Sequence, residues 1–183
     1  MAKKEIPSRE ECVLLLRKLG VDEKLIEHTK AVSKNALEIA ERIKKNGVTV
    51  DTKLVEAGGL LHDIGRSKVH GLEHGLVGGT ILRELGYPDS LARIAETHVL
   101  CGIIDEKPDE KNVSGAQDHT PSALEEKIVC YADKITVEKK KTTLDRRFDK
   151  WFQQYGRSPF LERAYARSKG IETELNSLLS KKR

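Results

Sequence analysis

The side chains best suited to chemistry are a dipeptide, His62-Asp63, three scattered histidines, His28, His74 and His98, and a later aspartate, Asp133. Neutral imidazole offers a nitrogen lone pair and carboxylate offers charged oxygens, a mixed donor set that suits a divalent transition ion. Burial sharpens the question. Leu60, Leu61 and Ile64 flank the dipeptide, and an ionised carboxylate in an apolar setting needs a cation or several hydrogen-bond donors. Taken singly, each histidine is better read as a buried imidazole bonded to backbone. Several inward imidazoles and two carboxylates sharing an ion would satisfy one another together. Such a set favours Mn, Fe, Co, Ni or Zn over Mg and does not choose among those five.

A cluster of this kind must be assembled from several helices, because ligands at i and i+4 of one helix define only an edge. The apolar periodicity supplies them. Ser8 and Glu11 form a capping box ahead of Cys12, Leu15, Leu16 and Leu19. Asp22 caps a second helix whose stripe (Leu25, Thr29, Val32, Ala36, Ile39, Ala40, Ile43) includes His28 and stops at Gly47. Asp51 or Thr52 opens a third, which runs through Leu61 into His62-Asp63 and breaks near Gly65. A fourth covers roughly 72–85, and a fifth starts at Pro88 with Leu91, Ile94, Ala95 and His98 on one face. Residues 102–121 lack periodicity and read as a long loop, either functional or mobile. Thr120 or Ser122 restarts a helix through Ile128, Tyr131 and Ile135. Two more follow, one bearing Phe148, Trp151, Phe152 and Tyr155, the other opened by Ser158-Pro159. Val48-Thr49-Val50 is too short to seed a sheet. The expectation is a single all-α domain over 1–183.

The run Glu56-Ala57-Gly58-Gly59-Leu60-Leu61-His62-Asp63-Ile64-Gly65-Arg66 closely resembles the signature of the HD superfamily, more narrowly its His-Asp-Ile-Gly subgroup. The likeness continues in order, with His28 before it and His74, His98 and Asp133 (in Ala132-Asp133) after it. It covers roughly residues 20–140 and leaves a basic, aromatic-rich helical extension over 141–183. The resemblance implies an HD-type helical bundle in which His28, His62, Asp63 and Asp133 hold one divalent metal. Asp63 would bridge to a second metal held by His74 and His98. Some dinuclear members have a further histidine where this chain has Val99, so one or two ions are both open.

The chemistry implied by the resemblance is hydrolysis of a phosphate ester or anhydride in a small nucleotide by a metal-activated water. Arg66 and Lys68, and Lys134 beside them, are the candidates to neutralise phosphoryl oxygens, with Lys68 and Lys134 equally readable as solvated. Within the family this hydrolysis covers nucleoside monophosphates, cyclic nucleotides, dinucleoside polyphosphates and hyperphosphorylated guanosine nucleotides; the missing Gly-Tyr-Pro motif tells against cyclic-di-guanylate, and the chain also resembles the small stand-alone members that cleave dinucleoside tetraphosphates. His70 and His119 read as surface residues. Two other functions stay open: a di-iron oxygenase on the same fold, and a non-catalytic nucleotide- or RNA-binding module.

Composition narrows the setting. Of 183 residues, 34% are charged and 38% hydrophobic, as in folded soluble domains. No run approaches the ~20 apolar residues of a membrane span, and Met1-Ala2-Lys3-Lys4-Glu5 leads into no apolar signal core, so a cytoplasmic location without a membrane partner is expected. Cys12, Cys101 and Cys130 form no Cys-x-x-Cys pair and are expected to stay reduced. From Lys134 onward there are 14 Lys/Arg against 6 Asp/Glu, within an overall charge of +4. That basic third can attract anionic substrates or nucleic acid, although a solvated face is the simpler reading. The stripe of Phe148, Trp151, Phe152 and Tyr155 reads as core or a homodimer face, with base stacking beside Arg146 and Arg147 the lesser alternative. Gly75, Gly78 and Gly79 serve either close helix packing or substrate approach.

Overall fold

Capping side chains set where the helices begin. In the computed structural model, which describes residues 4–102 and 119–181, Ser8 and Glu11 close a reciprocal box at the start of α1 (Arg9–Lys18). Asp22 caps α2 (Glu23–Lys45) and Asp51 caps α3 (Thr52–Leu61). Each such cap satisfies an N–H that the helix leaves unpaired, worth about 1 kcal/mol. Next come α4 (His74–Glu84), α5 (Asp89–Thr97), α6 (Leu124–Lys134), α7 (Leu144–Tyr155) and α8 (Pro159–Ser180), the last two capped by Thr143 and Ser158. Tight 3₁₀ turns over Ile64–Ser67 and Val99–Cys101 directly follow His62-Asp63 and His98. The fold is all-α apart from one short ribbon. Among the described residues no helix is long and apolar enough to cross a membrane.

α2 runs through the middle of the molecule and packs against α3 and α6. Its buried stripe of Ile26, Val32, Ala36, Ile39 and Ile43 meets Leu60, Leu61, Ile128 and Ala132 in the main core. A second, smaller apolar cluster joins Val99 and Leu100 to Leu144, Phe148, Phe152, Leu161 and Ala164, so α7 and α8 are seated beside the turn that follows His98. Tyr131 and Ile135 pack against both clusters.

α4 and α5 lie close because small residues line the contact. A Cβ on Gly75 would come within 2.9 Å of the Ala95 carbonyl, and one on Gly79 within 2.5 Å of the Glu96 side chain. These glycines therefore serve helix packing. Arg83 fastens the pair, with both terminal guanidinium nitrogens on the buried Glu96 carboxylate at 2.5 and 3.0 Å.

Three features depart from the expectations. Strands β1 (Thr136–Val137) and β2 (Lys140–Lys141) form an antiparallel ribbon directly after α6, turning at Glu138 with φ of 54°. α6 starts at Leu124 rather than at Thr120 or Ser122, and the Ser122 N–H donates to the Glu126 carboxylate. Cys101 and Cys130 are not independent thiols: they form a disulfide with Cα atoms 5.9 Å apart, tying the turn after His98 to α6, and only Cys12 is free. Residues 103–118 of the expected long loop lie outside the described residues.

Candidate metal centre

Four helices each deliver an imidazole from a place where the local backbone fixes the ring. His62 sits just past the end of α3, His74 is the first residue of α4, and His98 follows the end of α5. In all three, Nδ1 bonds the carbonyl three residues back: Gly59 at 2.8 Å, Gly71 at 2.6 Å and Ala95 at 2.7 Å. His28, mid-face on α2, instead places Nδ1 on the Glu138 carbonyl at 3.0 Å, supplied by the ribbon turn. With a carbonyl as partner, each Nδ1 carries the proton and each Nε2 keeps its lone pair. All four Nε2 atoms turn inward.

They converge on two carboxylates. Asp63 Oδ1 lies 3.0 Å from His74 Nε2 and 3.5 Å from His98 Nε2, while its Oδ2 is 3.6 Å from His62 Nε2. Asp133 Oδ1 lies 3.2 Å from His28 Nε2 and 3.7 Å from His62 Nε2. Donors on one ion at ~2.1 Å stand about 3–3.5 Å from each other, so the spacing suits a shared cation. In three groupings the donor atoms all lie within 4.8 Å of one another: His28, His62 and Asp63; His62, His98 and Asp133; and Asp63, His74 and His98. Asp63 belongs to two of them.

Electrostatics point the same way. Burial drives the His62 pKa down to about 4, so its imidazole is neutral at physiological pH, and His98 is lowered for the same reason. Burial alone would raise both carboxyls. At Asp133 the adjoining Lys134 ammonium outweighs it, and both carboxyls are held well below the usual carboxylate range. Two ionised carboxylates in a nearly dry cavity demand cations. Among the described residues, Arg66 and Lys134 answer in part. Arg66 Nε donates to Asp63 Oδ1 at 2.8 Å, and the buried Lys134 ammonium donates to Asp133 Oδ2 at 2.6 Å and to the His98 carbonyl at 2.9 Å. His62 Nε2, fully buried, has no hydrogen-bond partner among the described residues. An orphaned acceptor of this kind costs roughly 1–3 kcal/mol unless something fills the gap. The donor set therefore fits a divalent ion.

The sequence-derived residues divide cleanly. His28, Asp63, His74, His98 and Asp133 line one cavity of about 170 Å³ together with Arg66 and Lys134, and His62 is buried with its ring against those of His28 and His98. Lys68 is exposed and does not line it, whereas Lys134 does. His70 is exposed, and neither it nor His119 lines the cavity. Val99, where some dinuclear members carry a histidine, is a wall residue. Sequence reasoning gave no role here to Leu72 and Leu100 and placed Arg147 and Trp151 elsewhere, yet all four complete the lining.

This architecture defines a class: helical bundles built around a buried cluster of histidines and aspartates. The family model for the HD domain matches residues 25–138, and the chain belongs to the HD domain family. It is similar to an uncharacterized protein of Methanocaldococcus jannaschii, 42% identical over 171 residues that cover 93% of this chain and 98% of the relative. A tRNA (cytidine(56)-2'-O)-methyltransferase of Picrophilus torridus is 33% identical across 96% of this chain, which spans only 48% of that enzyme. Among solved structures, the HD domain of the phosphodiesterase PgpH from L. monocytogenes shares the fold with a TM-score of 0.52 at 18% identity, covering 91% of this chain and 95% of that one. The same domain in complex with cyclic-di-AMP gives 0.51 at 18% identity, covering 93% and 99%.

Proposed function

We propose that this protein is a metal-dependent phosphohydrolase that cleaves a phosphate ester or anhydride of a small nucleotide. The observation that carries this reading is the convergence of four Nδ1-anchored imidazoles and two ionised carboxylates around the unpartnered Nε2 of His62. His28, His62, Asp63 and Asp133 would hold one divalent ion, and Asp63, His74 and His98 a second. A bound ion supplies an acidified water as nucleophile and positive charge for the phosphoryl oxygens. The chain's own part is to orient and to neutralise. The backbone carbonyls fix all four rings, Arg66 braces Asp63 from the cavity wall, and Lys134 braces Asp133. Arg66 also faces the space where a phosphate would lie, as a cation with planar donors suited to phosphoryl oxygens. A structural neighbour in complex with cyclic-di-AMP supports a nucleotide as substrate.

Elemental analysis of purified protein, followed by a phosphate-release screen over nucleotides with Mn, Co, Ni and Zn, tests the reading. Stoichiometric metal and release from at least one nucleotide are expected. Metal-free protein that neither takes up these ions nor hydrolyses any nucleotide would overturn it.

Two substitutions separate the parts. His74→Ala or His98→Ala should lower bound metal from two ions toward one per chain; an unchanged ratio by mass spectrometry would make these histidines packing residues only. Arg66→Ala should lower kcat by about ten- to hundredfold, as expected for a charge-assisted contact of about 1.5–3 kcal/mol, while the metal stays bound. Loss of metal along with activity would instead confine Arg66 to bracing Asp63.

A further inference from the structure

A second cavity, of about 530 Å³, opens directly from the metal centre and has no part in the mechanism above. The two share five wall residues, Arg66, Leu72, Leu100, Arg147 and Trp151, so they form one continuous cleft. Its volume lies within the roughly 300–1,000 Å³ of small-ligand sites. α7 builds its outer wall. Phe148 and Phe152 turn into the second apolar cluster, whereas Trp151 and Tyr155, on the other edge of the same helical face, stay accessible and line the cleft.

Two observations single out this wall. The Arg147 guanidinium lies over the Trp151 ring at 4.7 Å, and its buried Nε donates to no acceptor among the described residues. An arginine left without an anion beside a cleft is a site for one. The second is Leu100, a cleft residue held at φ 50°, a conformation that costs a branched L-residue about 1–2 kcal/mol. Arg167 of α8 secures it by donating to the carbonyls of Cys101 and Gly102, at 3.2 and 2.7 Å. Backbone held in a costly conformation by a dedicated buttress, with its side chain in a cleft, marks a surface shaped for a ligand.

We infer that the α7 cleft is the nucleobase subsite of the same active site: the base lies against Trp151, and Arg147 takes a phosphate or ribose oxygen between base and metal. The inference rests on the phosphohydrolase reading for its phosphate end, and it assigns specificity to the extension beyond the matched HD domain. An aromatic face with a cation beside it binds bases by stacking with little sequence demand, so the subsite favours nucleotides over base-free phosphates more than it ranks one base over another.

Trp151 is the only tryptophan in the chain, so intrinsic fluorescence reports this one wall. Manganese-loaded protein is titrated with adenosine, guanosine, cytidine and uridine 5′-monophosphates and with ribose 5-phosphate, corrected for nucleotide absorption. Saturable quenching by nucleotides and none by ribose 5-phosphate is expected. By calorimetry, Trp151→Ala weakens nucleotide binding about tenfold, equivalent to about 1.4 kcal/mol, Trp151→Phe weakens it less, and Arg147→Ala weakens it with the Trp151 emission still present to report. Silence toward all four nucleotides, or an equal response to ribose 5-phosphate, overturns the subsite. So does emission that follows protein concentration instead, since that assigns the wall to a second copy of the chain. The two readings fail separately: a hydrolase with a silent Trp151 loses only the subsite, while quenching without hydrolysis or metal loses only the phosphohydrolase.

Discussion

Asp63→Asn is expected to leave a folded protein that has lost most of its metal and at least two decades of activity. The substitution keeps volume and shape and removes one negative charge from the point on which His74, His98, His62 and Arg66 converge at 2.8–3.6 Å. Because Asp63 is shared by two of the three possible coordination groups, neither ion would keep a full donor set. Breaking a buried charge pair costs about 3–5 kcal/mol, which corresponds to about two to four decades in rate. An isosteric change at a partly polar position should leave the helical content intact, so circular dichroism separates lost chemistry from lost fold. Metal per chain and kcat/KM on the best nucleotide of the screen are the measurements. A variant that retains its metal and more than a tenth of wild-type kcat/KM would remove Asp63 from the centre.

The reason Asp63 could be picked out in advance is local. A His-Asp pair closing an apolar helix, with His28 in the stripe of the preceding one, can be read from periodicity, and the order of His74, His98 and Asp133 follows the HD pattern. The ring-anchoring was not legible, since the periodicity starts the fourth helix near residue 72 and runs the fifth through His98, whereas in the structure His74 opens α4 and His98 follows the end of α5. Other features had no local signal. Strands of two residues give no alternation to detect, so the ribbon whose Glu138 carbonyl fixes His28 was invisible. Lys134 could be read either as a phosphate contact or as solvated, because a lysine in the last turn of a helix normally faces water; its burial follows from the carboxylate and the His98 carbonyl it meets only in the fold. Cys101 and Cys130 are 29 residues apart and meet only when the turn after His98 packs on α6.

The aromatic stripe shows how far periodicity reaches. At 100° per residue, Phe148, Trp151, Phe152 and Tyr155 fall within a single arc of about 100°, and sequence alone treats them as one face. The arc in fact divides, with one edge in the core and the other at the cleft. Which edge is which depends on where α8 and the left-handed turn at Leu100 and Cys101 sit, and tertiary packing alone decides that.

The remaining large effect belongs to a residue that touches no ion. Gly65→Ala is expected to lower stability by about 3 kcal/mol and to weaken metal binding with it. Gly65 lies in the 3₁₀ turn just after Asp63, where the first residues of α4 press against it. A Cβ there would overlap the carbonyl of His74 and come within 2.7 Å of the Gly78 nitrogen. The obstacle is backbone, which cannot rotate away as a side-chain tip can, so the cost sits at the upper end of the 1–3 kcal/mol typical of overpacking. For a domain of this length that means a fall of about 6–12 °C in Tm. To relieve the overlap α4 must retreat, carrying His74 from Asp63, and metal affinity falls although every proposed ligand is still present. Gly170→Ala provides the contrast. It sits exposed within α8 with nothing within 4 Å of the new methyl, and should gain about 0.5–1 kcal/mol from helix propensity and a less flexible unfolded chain. Thermal melts of the two variants with and without manganese decide the matter. If Gly65→Ala melts like wild type and still binds metal with wild-type affinity, the close approach of this turn to α4 does not hold the centre together.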